Sequence, residues 1–287
     1  MTAVALSLIL VAAFIHASWN YLLKRSGGGT VFVWLFATLS AIVYAPIAAA
    51  VLWWTRPTLG WVAATLMLAS SLLHTAYYML LDRGYRSGGD LSLVYPLARG
   101  SAPLITVFVA IVLLGEQPSG IALTGALLVA CAVVLLTGNP AHLRDRGSLI
   151  AVAYALLTGC MIASYTIVDK VAVAAFAVPP ILQDWAANCG RVALMTPHVL
   201  RKSDEIALTW RRAWKEVVGV AILCPLSYIL VLTAMVFTPV SYVAPAREVS
   251  ILIAAAMGAQ LLKEGDVARR LLAAVAMVIG ILCLALG

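Results

Sequence analysis

The sequence predicts an all-α membrane protein of ten transmembrane helices in two inverted five-helix repeats. Three observations predict this. The 287 residues are 63% hydrophobic and 11% charged, which leaves little material for a water-soluble domain. Ten apolar stretches each approach the roughly 20 residues a helix needs to cross a bilayer. Fourteen of the 19 Lys and Arg fall in alternate gaps between those stretches, the pattern of a chain with a fixed orientation.

The stretches run over 2–23, 31–54, 61–81, 91–115, 119–137, 148–168, 178–200, 216–236, 240–262 and 267–286. His16, Trp19 and Asn20 interrupt the first, and no basic leader precedes it, so it reads as a retained helix rather than a cleaved signal. Trp53, Trp54 and Trp61 mark the junction of the second and third as an interfacial belt, as Trp210 and Trp214 do ahead of the eighth. The fourth carries Pro96, Arg99 and Pro103 and ends at Glu116. Small residues from Gly120 to Gly125 in the fifth, and from Ala273 to Gly280 in the tenth, suit close helix contact, either peripheral packing or the seam of a homodimer. The seventh holds Asp184, Asn188 and Arg191, and the ninth begins after Pro239 and carries Pro245, Arg247 and Glu248. Prolines inside these helices free backbone carbonyls, which serves gating or is ordinary membrane-helix usage.

The gaps after the first, third, fifth, seventh and ninth helices, the last taken with the first turn of the tenth, hold Lys24, Arg25, Arg83, Arg86, Arg144, Arg146, Arg201, Lys202, Arg211, Arg212, Lys215, Lys263, Arg269 and Arg270. The other gaps hold Arg56 and Lys170. Cytoplasmic loops carry the cationic excess, so both termini face the opposite side, the periplasm if the chain sits in a bacterial inner membrane. Loop-confined charge explains the net +7 without nucleic acid as a partner. The five Cys all fall within predicted helices without close spacing, which indicates neither disulfides nor a zinc site.

The chain is an internal duplication. Residues 17–24, Ala-Ser-Trp-Asn-Tyr-Leu-Leu-Lys, recur as Ala-Ser-Tyr-Thr-Ile-Val-Asp-Lys at 163–170, an offset of 146. Tyr95-Pro96-Leu97-Ala98-Arg99 precedes Glu116 by the same 17 residues that separate Arg247 from Glu264, at an offset of 148. The halves are 1–140 and 147–287, and since each has an odd number of helices the second enters the membrane upside down. Loop charge agrees. Lys24, Arg25, Arg83 and Arg86 have only Lys170 as counterpart, whereas the cation-free gap at Glu116 is matched by one with Lys263, Arg269 and Arg270.

Two five-helix halves, each with Trp or Tyr and Lys in its first helix and a Pro-containing fourth helix ending in Glu, resemble the EamA-like family of the drug/metabolite transporter superfamily. The most telling segments are Leu113-Leu114-Gly115-Glu116 and Leu261-Leu262-Lys263-Glu264. The segment 90–100, with His16-Ala17-Ser18-Trp19-Asn20, is similar to a subgroup with members associated with phosphonate utilisation. The halves diverge where Gly100 is matched by Glu248 and where Gly-Glu becomes Lys263-Glu264-Gly265. The resemblance implies a secondary-active carrier that moves a small polar organic metabolite by alternating access, without ATP. It also implies, with the placement of polar residues, that helices 1, 3, 4, 6, 8 and 9 line the cavity.

Ionisable side chains near the bilayer centre cost roughly 2.5–3.5 kcal/mol on insertion scales, so they should face the bundle interior and find partners. Five qualify: Arg99, Asp184, Arg191, Arg247 and Glu248. Arg99 lies about 13 Å along its helix from Asp90, and Arg247 about 12 Å from Pro239, which puts both near the midplane. Glu248, next to Arg247 on a helix, should point about 100° away from it. Asp184, Asn188 and Arg191 share one stripe. These groups either neutralise one another and fix packing, or leave one of three cations for an anionic or zwitterionic ligand, whose carboxylate, phosphate or phosphonate an Arg fork binds in bidentate fashion.

Trp19, Asn20, Tyr77, Tyr95, Tyr165 and Tyr228 complete the candidate substrate wall, where rings stack on a ligand or serve plain packing. His16 and His74 are candidate proton carriers, hydrogen-bonded core histidine being the commoner role. Glu116 and Glu264 read as interface anchors. No Gly-rich phosphate loop, metal-binding His-Glu motif or nucleophile elbow is present, so the chain reads as cofactor-free and not an enzyme. The alternatives are an exporter of amphipathic or cationic drugs, or an intramembrane lipid-handling protein.

Overall fold

The computed structural model describes residues 1–86, 91–137, 146–253 and 267–287. Arg144, Lys263 and Glu264 lie outside the described residues, as do the side chains of Arg86, Tyr95, Arg146, Arg269 and Arg270. The described chain is helical: α1 Ala3–Ser26, α2 Thr30–Thr55, α3 Trp61–Arg86, α4 Leu91–Leu114, α5 Gly120–Thr137, α6 Arg146–Ala174, α7 Pro180–Val199, α8 Ser203–Phe237, α9 Val240–Ala246 and α10 Val267–Leu286. Six helical stretches among the described residues are long and apolar enough to cross a membrane. Large apolar side chains such as Phe14, Ile42, Trp54, Phe108 and Leu271 face outward, as a lipid solvent requires.

Helix ends are built from the chain's own chemistry. Thr2 caps α1 by accepting from the Ala5 N–H, and Gly27 closes it in the left-handed conformation at φ 82°. At the junction of α8 and α9, charged side chains supply both caps. The Lys170 ammonium donates to the Met235 and Thr238 carbonyls at 2.6 and 3.0 Å, while the Glu116 carboxylate accepts from the Val240 and Ser241 N–H groups at 2.8 and 2.9 Å. Charge of the right sign thus meets each helix terminus. Glu116, expected as an anchor, is in detail the N-terminal cap of α9.

The small-residue runs of α5 and α10 meet each other within the chain. A Cβ at Gly125 would stand 2.6 Å from the Gly280 carbonyl oxygen, so this contact admits no side chain. The runs are therefore occupied inside one molecule, which removes the sequence argument for a homodimer seam there.

Three boundaries differ from expectation. First, α6 continues to Ala174, so Asp169 and Lys170 lie within a helix and not in a gap; Lys170 is held by the end of α8, and the apolar run resumes after it. Second, the cationic segment before the eighth span is helical from Ser203, with Asp204 and Glu205 in its first turn, and joins the span through a kink at Ala213. Third, the ninth helix is not continuous. After Ala246 the backbone tightens into i→i+3 hydrogen bonds, Glu248 N–H to the Pro245 carbonyl at 3.0 Å and Ile251 N–H to the Glu248 carbonyl at 2.9 Å. The α-type ladder runs to the Arg247 N–H, which donates to the Val243 carbonyl at 3.1 Å, and breaks at Glu248.

Candidate functional site

That break shapes the centre of the bundle. Arg99 from α4 reaches Glu248 at 2.9 Å, and Arg247 turns back onto the same carboxylate at 3.5 Å, all three side chains being buried. The expectation that Arg247 and Glu248 diverge is wrong, because the 100° step holds only on a regular helix and the backbone here is not one. The guanidinium of Arg99 also donates to Ser250 at 3.5 Å, and that of Arg247 to Thr166 on α6 at 3.3 Å. Two cations therefore share one anion.

Beside them lies a cavity of about 40 Å³, lined by His16 of α1, Arg99, Tyr165 of α6, Ser227 and Tyr228 of α8, and Arg247. At about 10–15 Å³ for each water centre it holds a few waters, far less than an organic metabolite occupies. Of the helices expected to line a cavity, α3 stands one layer back. His74 stacks on Tyr165 with ring centres 3.9 Å apart, and its Nδ1 lies 3.0 Å from the Ser70 carbonyl oxygen. Tyr77 packs edge-on to Tyr165 at 6.1 Å. Trp19 donates to Ser227 at 3.2 Å and His16 packs edge-on against it, so α1 is pinned to α8 beside the cavity. Asn20 instead donates to the His16 carbonyl of its own helix at 2.8 Å.

The seventh-helix candidates form a second, separate cluster. Asn188 donates to Asp184 Oδ2 and accepts from Arg191, both at 3.0 Å, so a neutral amide joins the charges. Arg191 also lies over the ring of Tyr78, 4.8 Å from its centre.

A third centre escaped the sequence reading. Asp169 is fully buried and accepts from Tyr228 Oη at 2.5 Å and from Gln183 Nε2 at 2.8 Å. It alters the charge count. Among the described residues three buried acids, Asp169, Asp184 and Glu248, face three buried arginines, Arg99, Arg191 and Arg247, so these residues together do not leave the expected single unmatched cation. The imbalance is local: the Arg99–Arg247–Glu248 group carries a net positive charge, the Asp184–Arg191 group none, and the Asp169 group a negative one. The signal for Asp169 was present in the sequence, since Tyr165 stands four residues before it on one face and an apolar run follows at 171–175.

No protein-family model and no curated protein matches the chain. Among solved structures, a crystal structure of a protein aligns over 100% of this chain and 98% of its own, at 14% identity and a TM-score of 0.78. That likeness shows a shared fold and nothing of what the fold carries.

Proposed function

We infer that this chain is a secondary-active transporter of a small anionic or zwitterionic organic metabolite, working by alternating access as a ten-helix inverted-repeat carrier of the EamA-like family. The observation that carries the reading is the meeting of Arg99 and Arg247 on the single carboxylate of Glu248 beside an interior cavity. The two arginines occupy matching positions in the duplicated halves, and a pseudo-two-fold relation would bring such positions together at the ligand site. Two guanidinium groups for one carboxylate leave a positive surplus in a low-dielectric setting, which an anion relieves. The ring faces of Tyr165 and Tyr228 in the same wall suit an ammonium group on the same ligand. With room for only a few waters, the described conformation is contracted, and the walls must separate to admit a solute.

A thermal-shift screen of the purified full chain against amino acids, phosphonates and organic cations tests the reading. Stabilisation by acids or zwitterions, lost in Arg247→Ala, is the expected result. Stabilisation by organic cations alone would favour the drug-exporter alternative.

The proposed setting is a bacterial inner membrane with both termini periplasmic, supported by the 14-to-2 split of loop cations. In intact cells, Cys at Thr55 should react with a membrane-impermeant thiol reagent and Cys at Ser203 should not. The reverse pattern would invert the topology.

A further inference from the structure

We propose that Asp169 is a proton-binding site whose occupancy is linked to anion binding in the Arg99–Arg247 cavity, so that proton and anion are carried together. The proposal rests on the anion reading above for its second half only.

The first argument is what surrounds the carboxylate. Its donors, Tyr228 and Gln183, are neutral, and no Lys or Arg among the described residues lies within ion-pair distance. Lys170, its chain neighbour, is turned away onto the carbonyls at the end of α8. The ionisable groups that the surrounding helices turn inward are His16 from α1, His74 from α3, Arg99 from α4, Asp184 and Arg191 from α7, Tyr228 from α8, and Arg247 and Glu248 after α9. Of the charged ones, Arg99 and Arg247 are engaged with Glu248, and Asp184 and Arg191 are joined through Asn188.

The second argument is that the site holds partners for both protonation states. As a carboxylate, Asp169 needs donors, and Gln183 Nε2 supplies one. As a carboxylic acid it gains an O–H that needs an acceptor. Gln183 Oε1 is buried and has no hydrogen-bond partner, so a turn of the amide offers an acceptor already inside the bundle. An orphan acceptor of this kind calls for explanation, and a proton that comes and goes provides one.

The third argument is that helix formation does not require the group. In the duplication Asp169 corresponds to Leu23, and α1 forms with an apolar side chain at that position.

The coupling follows from charge and from one shared residue. Protonation adds one H⁺ to the Asp169 carboxylate and breaks no bond. Among the described residues it converts a balanced set of three buried acids and three buried arginines into one with a net positive charge, which an anion at the arginines offsets. By reciprocity, each partner raises the affinity for the other. Tyr228 donates to Asp169 and also lines the cavity, so the change in its hydrogen bond is felt at the anion site.

The test uses the full chain in nanodiscs with methanesulfonate, an anion that stays fully ionised between about pH 5 and pH 9, the range searched for a side-chain titration. Infrared difference spectra on lowering the pH should show a carboxylic C=O band that Asp169→Asn removes and Asp184→Asn leaves. Methanesulfonate affinity should rise as the pH falls between the proton midpoints of the anion-bound and the anion-free protein, by at most about tenfold for each unit. In Asp169→Asn that pH dependence should be lost, and in His16→Gln it should remain. A pH-dependent band that survives Asp169→Asn, or none at all, overturns the proton site. Binding that keeps its pH slope in Asp169→Asn overturns the linkage. If the band behaves as expected but methanesulfonate binds at no pH, the anion reading fails and the proton site stands. Should Asp169→Asn not fold, Asp169→Glu must shift the band, and an unshifted band refutes the assignment.

Discussion

Replacing Glu248 by Gln should destabilise the chain by about 3–5 kcal/mol, the range seen when one partner of a buried ion pair is removed. Glu248 is wholly buried and is the carboxylate that Arg99 and Arg247 share at 2.9 and 3.5 Å. The amide keeps the shape and removes the charge, so two guanidinium groups are left facing each other across it. Denaturation of the full chain in detergent, followed by tryptophan fluorescence, measures the loss. A high concentration of methanesulfonate should return part of it by standing in for the missing carboxylate. A variant as stable as the parent would mean that the arginines are solvated well enough to need no counter-ion, and the site would lose its electrostatic basis.

Arg99→Ala and Arg247→Ala should each weaken binding of an anionic ligand by about 2–5 kcal/mol if the pair is desolvated. Lys at either position should rescue only part, because an ammonium is a point charge and cannot reproduce the planar fork. A purely structural role for Arg99 predicts otherwise: if it only neutralises Glu248, the double change Arg99→Gln with Glu248→Gln should restore both stability and transport. Uptake into vesicles, measured with the ligand found by the thermal-shift screen, separates the two. Full transport by the folded double variant excludes the anion site, whereas a stable and inactive one supports it.

The sequence made the positions of the apolar helices legible, because lipid demands long uninterrupted apolar runs and loops concentrate the charge. It also put Arg99 and Arg247 at comparable depth through the duplication, and the structure brings both onto Glu248. What stayed hidden depends on breaks in regularity. Pro245 in the sequence announces a kink, but only the tightened backbone after Ala246 turns Glu248 toward Arg247 instead of away from it. Asp169 was hidden by its neighbour. An Asp-Lys pair after an apolar run looks like the end of a span, and nothing local says that Lys170 is anchored by a helix 65 residues further on. The α7 stripe was legible because Asp184, Asn188 and Arg191 lie on one regular helix, where spacing alone fixes which side chains meet.

Charge, not side-chain packing, fastens the α8–α9 corner. Four hydrogen bonds close it, two from the Lys170 ammonium and two to the Glu116 carboxylate. Bonds to charged groups contribute about 1.5–3 kcal/mol each when fully formed, yet both ions are among the most readily hydrated groups in the chain. Water entering at this corner could replace all four bonds, where a corner sealed by packed side chains would have nothing comparable to exchange. Access of water to the two ions therefore sets how firmly the corner holds.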